Sequence, residues 1–384
     1  MSASPAGALS FAMVAGEVSG DMLAALLLQG LQARWPQAQA FGIGGPRMQA
    51  QGFEAWWSHE LLAVRGYVEV LRHYRGIVAV RNQLRQRLLA QKPDVFIGVD
   101  APDFNLDLET QLKAAGIPTV HFVCPSVWAW RAERLDKIRR SVDHMLCIFP
   151  FEPALLAKAG VQATYVGHPL AQTIPMAPNR WAARQTLGLD AQRPVVALLP
   201  GSRRSEIEHL TPRFLQAAQH MQRQQPGLQF VLPAIPSLLP RIQAWVAAQG
   251  GVPGLKLVAG QSHAALAACD VCLIASGTAT LEAALFKRPM VIAYQMNWLS
   301  WQIMKRQQLQ PWVGLPNILC GEFIVPEFLQ ERCTPEALAQ ACLAWLSAPD
   351  RVDALQIRFQ QLHLTLQRET AKLSTDVLEK VLAR

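Results

Sequence analysis

The stretch FAMVAGEVSGDMLAALLLQGL, residues Phe11–Leu31, predicts the fold of this chain. An apolar run ends at Gly16, and a helical run rich in Leu and Ala begins after Asp21. A strand, a tight loop and a helix in this order form the place where α/β proteins bind phosphates on helix N-terminal amides. This loop nevertheless carries the acids Glu17 and Asp21 and no Lys or Arg. Carboxylates therefore stand in this loop where a phosphate site would be expected.

The same alternation of short apolar runs and helical stretches continues along the chain. Most strand candidates are uninterrupted apolar runs, as expected for parallel strands covered on both faces. These candidates are Phe11–Ala15, Val95–Val99, Thr119–Val123, Met145–Phe149, Val195–Leu199, Phe230–Leu232, Lys256–Val258, Val271–Ile274 and Met290–Ala293. Helices are predicted between them, for example over Ile77–Gln91 and Pro212–Gln225, and Gly42–Met48 (GIGGPRM) is interpreted as a turn. Repeated βαβ units predict an α/β fold with doubly wound sheets.

A Pro-rich segment over Gly167–Asn179 predicts a linker, after which the alternation restarts at RPVVALLPGSR. We therefore predict two Rossmann-like domains, residues 1–172 and 173–349, facing a central cleft lined by the carboxyl ends of both sheets. The helical segment 350–384 can pack on either domain.

Composition limits the class of protein. The chain has 384 residues, 51% of them hydrophobic and 17% charged, with net charge +8. The positive charge favours an anionic partner. The chain has no uncharged apolar run long enough for a membrane span, and residues 1–10 lack the Lys or Arg of a signal peptide, so we expect a cytoplasmic protein.

The seven Cys residues are irregularly spaced, which does not indicate a disulfide framework. Cys269 and Cys272 form one C-x-x-C inside an apolar strand, and no second pair completes a zinc site. We interpret both as small core side chains, and predict no metal site and no cofactor.

Two strand ends in the second half favour a nucleotide. In LLPGSRRSEI, Gly201 lets the backbone approach a ligand, Ser202 can donate, and Arg203 or its neighbour Arg204 can bind a diphosphate. No P-loop pattern is present.

The second of these strand ends is SGTATLEAAL, where Ser276, Gly277 and Thr278 form a strand-to-helix turn and Glu282 lies one helical turn further on. The turn can present free amides to phosphate, and Glu282 can accept from ribose hydroxyls. Ordinary helix capping explains Ser-Gly-Thr equally well when it is considered alone.

The first half offers acids at strand ends instead. Glu17 follows the first strand, and Asp100 directly follows the strand Val95–Val99. Two further acids have structural explanations: Asp103 as an Asx turn or helix N-cap, and Asp21 as a first-turn acid that stabilises its own helix. Trp128 and Trp130 follow a third strand and either stack on a sugar or acyl chain or belong to the core.

An apolar stripe with cationic neighbours is formed by Val64, Tyr67, Val68 and Leu71. Such a stripe can dock on an anionic membrane surface. The alternative is a helix that packs on its own sheet.

Taken together, the motifs AGEVSGD, GVDAPDFN, CPSVWAW, VGHPL, LLPGSRRSEI, SGTATLEAAL and VGLPNIL resemble the lipid-A-disaccharide synthase family, in order from about residue 11 to 330. The resemblance implies a GT-B fold and an inverting, metal-independent glycosyltransferase of lipid A biosynthesis. It would join UDP-2,3-diacylglucosamine to 2,3-diacylglucosamine 1-phosphate, releasing UDP. Its partners would be acylated glucosamine lipids and the cytoplasmic face of the anionic inner membrane. The scattered basic residues do not indicate nucleic-acid binding.

The resemblance also suggests roles for individual residues. Arg203 and the Ser276–Thr278 turn would neutralise the diphosphate, with Glu282 on the ribose. Asp100 would be the general base, with Glu17 the second candidate, and Asn317 in LPN would orient a sugar or phosphate. Two alternatives stay open: a UDP-sugar epimerase, and a non-catalytic carrier of lipid or nucleotide sugar. The oligomeric state does not follow from the sequence.

Overall fold

The computed structural model describes residues 8–62, 67–130 and 132–383. The chain divides into two units: residues up to Pro169 together with Leu366 onward, and Leu170–Thr365. The first break thus lies three residues before the predicted boundary, and the chain returns to the first unit near its C-terminus.

The first unit is built on a parallel sheet that has seven strands in the described residues, in the order β3-β2-β1-β4-β5-β6-β7. The strands are β1 Ser10–Ala15, β2 Gln39–Gly44, β3 Glu54–Ser58, β4 Val95–Val99, β5 Thr119–Phe122, β6 His144–Cys147 and β7 Ala163–Tyr165. The interpretation of Gly42–Met48 as a turn was wrong, because β2 continues to Gly44 and a short helix follows.

The second unit is built on a parallel sheet that has six strands in the same described part of the chain, in the order β10-β9-β8-β11-β12-β13. The strands are β8 Val195–Leu199, β9 Gln229–Ala234, β10 Leu255–Ala259, β11 Val271–Ala275, β12 Met290–Tyr294 and β13 Glu327–Leu329. The predicted fold class, α/β with two Rossmann-like sheets, is confirmed.

Helices connect the strands and cover the sheets. They are α1 Glu17–Arg34, α2 Pro46–Gln49, α3 Tyr67–Gln91, α4 Pro102–Ala114, α5 Arg134–Ser141, α6 Glu152–Lys158, α7 Pro169–Thr173, α8 Arg180–Thr186, α9 Arg204–Gln224, α10 Leu239–Ala248, α11 Ser262–Ala268, α12 Thr278–Leu285, α13 Trp298–Gln307, α14 Leu315–Cys320, α15 Pro335–Leu346, α16 Pro349–Leu366 and α17 Thr370–Leu382. Short 3₁₀ helices cover His59–Leu62, Pro236–Leu238 and Gln330–Arg332.

The central strands are apolar along their whole length because both faces are covered. All five residues of β4, β8 and β11 are buried. On one face of the first sheet, Val14, Ile43 and Phe96 pack with Leu84 of α3 and Leu108 of α4. Burial of this kind contributes roughly 1.5–3 kcal/mol for each large apolar side chain.

The C-terminal segment is shared between the units. Most of α16 belongs to the second unit, whereas α17 packs on α1 of the first. Gly30 permits this approach, because a Cβ atom there would lie 2.9 Å from the carbonyl oxygen of Ala371. Arg34 on α1 pairs with Asp376 on α17 at 3.1 Å.

Each sheet has one point where the strand order reverses. In the first sheet β1 lies between β2 and β4, and in the second β8 lies between β9 and β11. Loops that leave these strands at their carboxyl ends diverge to opposite faces, and the crevice between them is where doubly wound sheets bind ligands. The loops after β1, β4, β8 and β11 therefore flank the two crevices where ligands are expected.

Candidate active site

Strained backbone marks the reversal point of the first sheet. Glu17 after β1, Asp100 and Ala101 after β4, and Val123 after β5 have φ of 59°, 53°, 44° and 82°. Side chains disfavour this left-handed region, at a cost of about 1–3 kcal/mol per residue. Three neighbouring strands thus end in strained residues at one edge of the sheet, as in active sites whose backbone is held for function.

The structure brings the two predicted acids of this edge together. The loops that carry them are in contact, because a Cβ atom on Gly16 would lie 2.9 Å from Cβ of Ala101. The negative charge of Glu17 raises the pKa of Asp100. The two carboxylates therefore act on one another.

The carboxyl group of Asp100 has a pKa raised above its ordinary value. Burial is the main cause; the charge of His121 and the N–H of Ala101 oppose it, and Glu17 adds to it. A carboxylate whose proton affinity is raised in this way is suited to accept a proton.

Two residues near Asp100 hold its loop. Asn105 is fully buried, and its Nδ2 donates to the carbonyl oxygen of Asp100 at 2.8 Å. Asp103 lies in the first turn of α4 and accepts from Arg134 at 2.6 Å; the N-cap itself is Ala101. The prediction of an Asx turn or N-cap at Asp103 was therefore wrong. Asp103 is an acid of the first helical turn that forms a surface ion pair.

Asp21 has a different role from the one predicted. Helix α1 begins at Glu17, and the Asp21 carboxylate accepts from the N–H groups of Gly45, Arg47 and Met48 at 2.9, 3.0 and 3.1 Å. Asp21 thus caps the N-terminus of α2 instead of stabilising its own helix. The contact ties α1 to the loop after β2.

At the reversal point of the second sheet, the described residues enclose a cavity of about 430 Å³. Its walls come from the loops after β8, β9 and β11 and from the segment between β10 and α11. Seven of the residues predicted to bind UDP line it: Gly201, Ser202, Arg203, Ser276, Gly277, Thr278 and Glu282. The alternative Arg204 pairs with Glu208 at 3.0 Å instead.

Glu206, which the sequence reasoning missed, occupies the loop after β8. Its Oε2 accepts from the N–H groups of Ser202 and Arg203, both at 3.1 Å, and its Oε1 accepts from the Arg203 guanidinium at 3.2 Å. A Cβ atom on Gly201, whose φ is 116°, would collide with Glu206. A Glu three residues after an N-cap is the signal that predicts this arrangement.

The turn after β11 is not an ordinary side-chain cap. The Ser276 hydroxyl donates to the carbonyl of Val313 at 3.0 Å, and its N–H donates to Ala293. No described side chain caps α12, and the Thr280 hydroxyl donates back to Gly277 at 2.8 Å. The N-terminus of α12 therefore opens into the cavity, whereas both donors of Ser276 are used within the protein.

Glu282 reaches the cavity from the second turn of α12. Its Oε2 lies 3.2 Å from His263 Nε2, and its side chain is 19% exposed. One carboxylate oxygen is thus engaged by His263, and the group faces the space in which a ligand would lie.

The structure gives Asn317 a different role from the one predicted. It is fully buried, and its Nδ2 donates to Val325 O at 2.9 Å and Glu327 Oε1 at 2.8 Å. Its Oδ1 accepts from the N–H groups of Ile324 and Val325. With every hydrogen-bonding position of its amide used inside the protein, Asn317 does not reach a substrate.

Asn317 instead supports the turn after β11 through Glu327. The carboxylate of Glu327 also accepts from the N–H groups of Val313 and Gly314 at 3.0 and 2.9 Å. Because Val313 accepts from Ser276, this network fixes the entrance to α12.

Of the two Trp residues, Trp128 belongs to the core of the first unit. Its Nε1 donates to the buried Glu152 at 3.0 Å, and its ring packs edge-on against Phe149 and Phe151. Burial raises the pKa of Glu152 to about 7. Trp130 is 39% exposed.

The side chains of the predicted docking stripe lie outside the described part of the structure. Val64 lies outside the described residues, and the side chains of Tyr67, Val68 and Leu71 on α3 lie outside them as well. In the described part of the chain, no helix is both long and apolar enough to cross a membrane.

Six of the seven cysteines are buried, and Cys320 is half-buried. Cys269 and Cys272 are fully buried. Within residues 8–62, 67–130 and 132–383, no three His, Cys, Asp or Glu side chains are grouped so as to hold a metal ion.

Known structures share this fold. S. aureus MnaA in its UDP co-structure superposes with a TM-score of 0.66 at 10% identity, covering 98% of both chains. Acinetobacter baumannii MurG gives a TM-score of 0.58 at 15% identity, covering 97% of this chain and 99% of MurG. At such identities the likeness shows the fold alone.

The family follows from sequence comparison. A family model described as lipid-A-disaccharide synthetase matches residues 11–381. The lipid-A-disaccharide synthase of Albidiferax ferrireducens is 62% identical over 379 residues, 97% of each chain. That of Paraburkholderia phytofirmans is 53% identical over 378 residues, 98% of this chain and 97% of the relative. The chain therefore belongs to the lipid-A-disaccharide synthase family and is a glycosyltransferase with a GT-B fold.

Proposed function

We propose that this chain transfers the sugar of UDP-2,3-diacylglucosamine to the 6-hydroxyl of 2,3-diacylglucosamine 1-phosphate. The products are the β-1,6-linked tetraacyl disaccharide 1-phosphate and UDP. Family membership supports the reaction class. One observation supports the division of roles: the reversal point of the first sheet carries carboxylates, and that of the second carries an arginine and an open helix N-terminus.

The second unit is the donor-binding unit in this proposal. UDP occupies the 430 Å³ cavity, with its diphosphate on Arg203 and the N-terminus of α12 and its ribose on Glu282. Cationic and amide groups at these positions stabilise the charge that develops on the leaving diphosphate, without a metal ion. S. aureus MnaA, a protein of the same fold, binds UDP, which is consistent with UDP as the ligand.

Diphosphate binding changes the contacts of Arg203. In the structure Glu206 holds both the Arg203 guanidinium and two loop amides, which is the position a phosphate oxygen would take. We infer that the guanidinium turns from Glu206 to the diphosphate when UDP binds. The Arg203 side chain is 61% exposed, so this movement meets little steric resistance.

The first unit is the acceptor-binding unit. Asp100 takes the proton of the acceptor 6-hydroxyl as the new C–O bond forms at the anomeric carbon and the bond to UDP breaks. Attack on the face opposite the leaving group inverts the configuration. A general base of this kind contributes about 10²–10⁴-fold. Glu17 is the second candidate for the base and otherwise binds the acceptor sugar.

The lipid substrates place the enzyme at a membrane surface. Both carry acyl chains, and the protein has a net charge of +8. We propose that Val64, Tyr67, Val68 and Leu71 dock on the cytoplasmic face of the anionic inner membrane.

One assay tests the function. UDP-diacylglucosamine is incubated with and without diacylglucosamine 1-phosphate, and UDP and disaccharide are measured. UDP release that needs the acceptor and matches disaccharide formation supports the proposal. Turnover of a UDP-sugar without acceptor would indicate an epimerase, and binding without UDP release would indicate a carrier.

A further inference from the structure

A buried ionisable pair lies beside Asp100 and takes no part in the mechanism above. Glu109 on α4 and His121 on β5 are both fully buried, and 2.7 Å separates Glu109 Oε1 from His121 Nδ1. Removing two ionisable groups from water costs several kcal/mol per charge, which their mutual attraction repays only with favourable geometry. An apolar pair of similar volume would pack there at lower cost, so packing alone does not explain the choice.

The sheet is shaped to admit this pair. Gly98 on β4 is the register partner of His121 on β5. A Cβ atom on Gly98 would collide with Glu109 Oε1 and would lie 3.0 Å from Cβ of Asn105. Gly98, two residues before Asp100, thus leaves the space that the Glu109 carboxylate occupies.

The pair also leaves polar atoms without partners. His121 Nε2, Glu109 Oε2 and Asn105 Oδ1 are buried and make no hydrogen bond to any described residue. Buried polar atoms in purely structural networks are nearly always satisfied. The unsatisfied group is continuous with the catalytic loop, because Asn105 donates to the carbonyl of Asp100.

Charge connects the pair to Asp100. Among the described residues, the ionisable groups that act on Asp100 are His121 on β5, whose positive charge favours the carboxylate form, and Glu17 on α1, whose negative charge disfavours it. Glu109 faces His121 from α4, and burial raises the pKa of Glu109 while His121 lowers it. One hydrogen bond joins Glu109 Oε1 to His121 Nδ1.

We propose that Glu109 and His121 are positioning residues for the general base: Glu109 orients the buried imidazole of His121, and the imidazole keeps Asp100 as a carboxylate. This rests on the proposed function, in which Asp100 takes the hydroxyl proton. During the reaction that proton goes from the acceptor hydroxyl to Asp100, and Glu109 and His121 exchange no proton with the substrate. Burial and Glu17 would otherwise favour the protonated acid, which cannot act as a base.

The experiment measures kcat/KM for disaccharide formation against pH in His121→Gln and in the double variant E109Q/H121Q. The double variant replaces the pair by two neutral amides and leaves no carboxylate buried alone, so it guards against a folding failure of the single one. His363→Gln is the matched control, because His363 is equally buried, in the second unit, and contacts Lys287 and Ala171.

We expect the acid limb of the profile to move up by about one pH unit in both variants, which is a tenfold loss of kcat/KM below the limb. The UDP affinity of both variants should equal that of the wild type. In His363→Gln the acid limb of the pH profile should stay at the wild-type pH. A limb that stays at the wild-type pH in the folded double variant overturns the inference. Absence of disaccharide formation by the wild type would instead overturn the proposed function, and full activity of Asp100→Asn would overturn the choice of base.

Discussion

Removal of the Asp21 carboxylate should destabilise the first unit by several kcal/mol. The side chain is 1% exposed and accepts from three backbone N–H groups at 2.9–3.1 Å. A hydrogen bond to a charged group contributes about 1.5–3 kcal/mol, and bonds that share one carboxylate add less than their sum. We therefore expect about 3–5 kcal/mol for Asp21→Ala.

A milder variant refines this expectation. In Asp21→Asn the oxygen at Oδ1 keeps its bonds to Gly45 and Met48, whereas the amide nitrogen replaces the oxygen that accepts from Arg47. Two donors then face each other, so we expect a loss of about 1–2 kcal/mol, near the cost of one unsatisfied group.

Calorimetry is the suitable assay, because two units can unfold in separate transitions. A loss of 3–5 kcal/mol corresponds to about 6–20 °C in the Tm of a unit of this size. Asp103→Ala is the control: its side chain is 83% exposed, and its pair with Arg134 should contribute at most about 1 kcal/mol. If the free energy of unfolding of Asp21→Ala lies within about 1 kcal/mol of that of the control, the capping argument is refuted.

Four further predictions follow from the proposed function. Asp100→Asn should keep UDP affinity and lose at least about two decades of turnover, because the base is gone; a near-wild-type rate excludes Asp100. Arg203→Ala should weaken UDP binding about 10–100-fold in calorimetric titration and raise the donor KM, and an unchanged affinity removes it from the diphosphate site. Replacing Val64, Val68 and Leu71 together by Ser should release protein from anionic vesicles, whereas unchanged cosedimentation favours a helix that packs on the sheet. Activity should survive EDTA because protein groups neutralise the diphosphate, and loss that added Mg²⁺ restores would contradict the metal-free mechanism.

The strands β1, β4, β8 and β11 were predictable because their signals are local. A parallel strand buried on two faces is an apolar run, and β4 and β8 have the predicted bounds. Four strands were missed. β3 is partly exposed, and β7 and β13 have three residues each at sheet edges, whereas β2 is interrupted by Gly42 and Gly44, which favour a turn interpretation.

The candidate site was predictable for a related reason. Ligand-facing loops follow the carboxyl ends of strands, so Glu17, Asp100 and the two loops of the cavity could be located from strand positions. What those side chains contact was not predictable, because Glu206 takes the amides of its loop and Asn317 lies inside a hydrogen-bond network.

The sequence by itself determined which segments become strands and which loops carry acids or cations, since hydrophobic periodicity and strand ends are properties of neighbouring residues. Only the tertiary structure decided the pairing of side chains from distant segments. Asp21 caps a helix that begins 25 residues later, and His121 meets Glu109 because β5 adds beside Gly98. Such partners are chosen by sheet register and helix packing. The acids of AGEVSGD therefore divide their roles: the charge of Glu17 acts on Asp100 at the edge of the sheet, and Asp21 joins α1 to the start of α2.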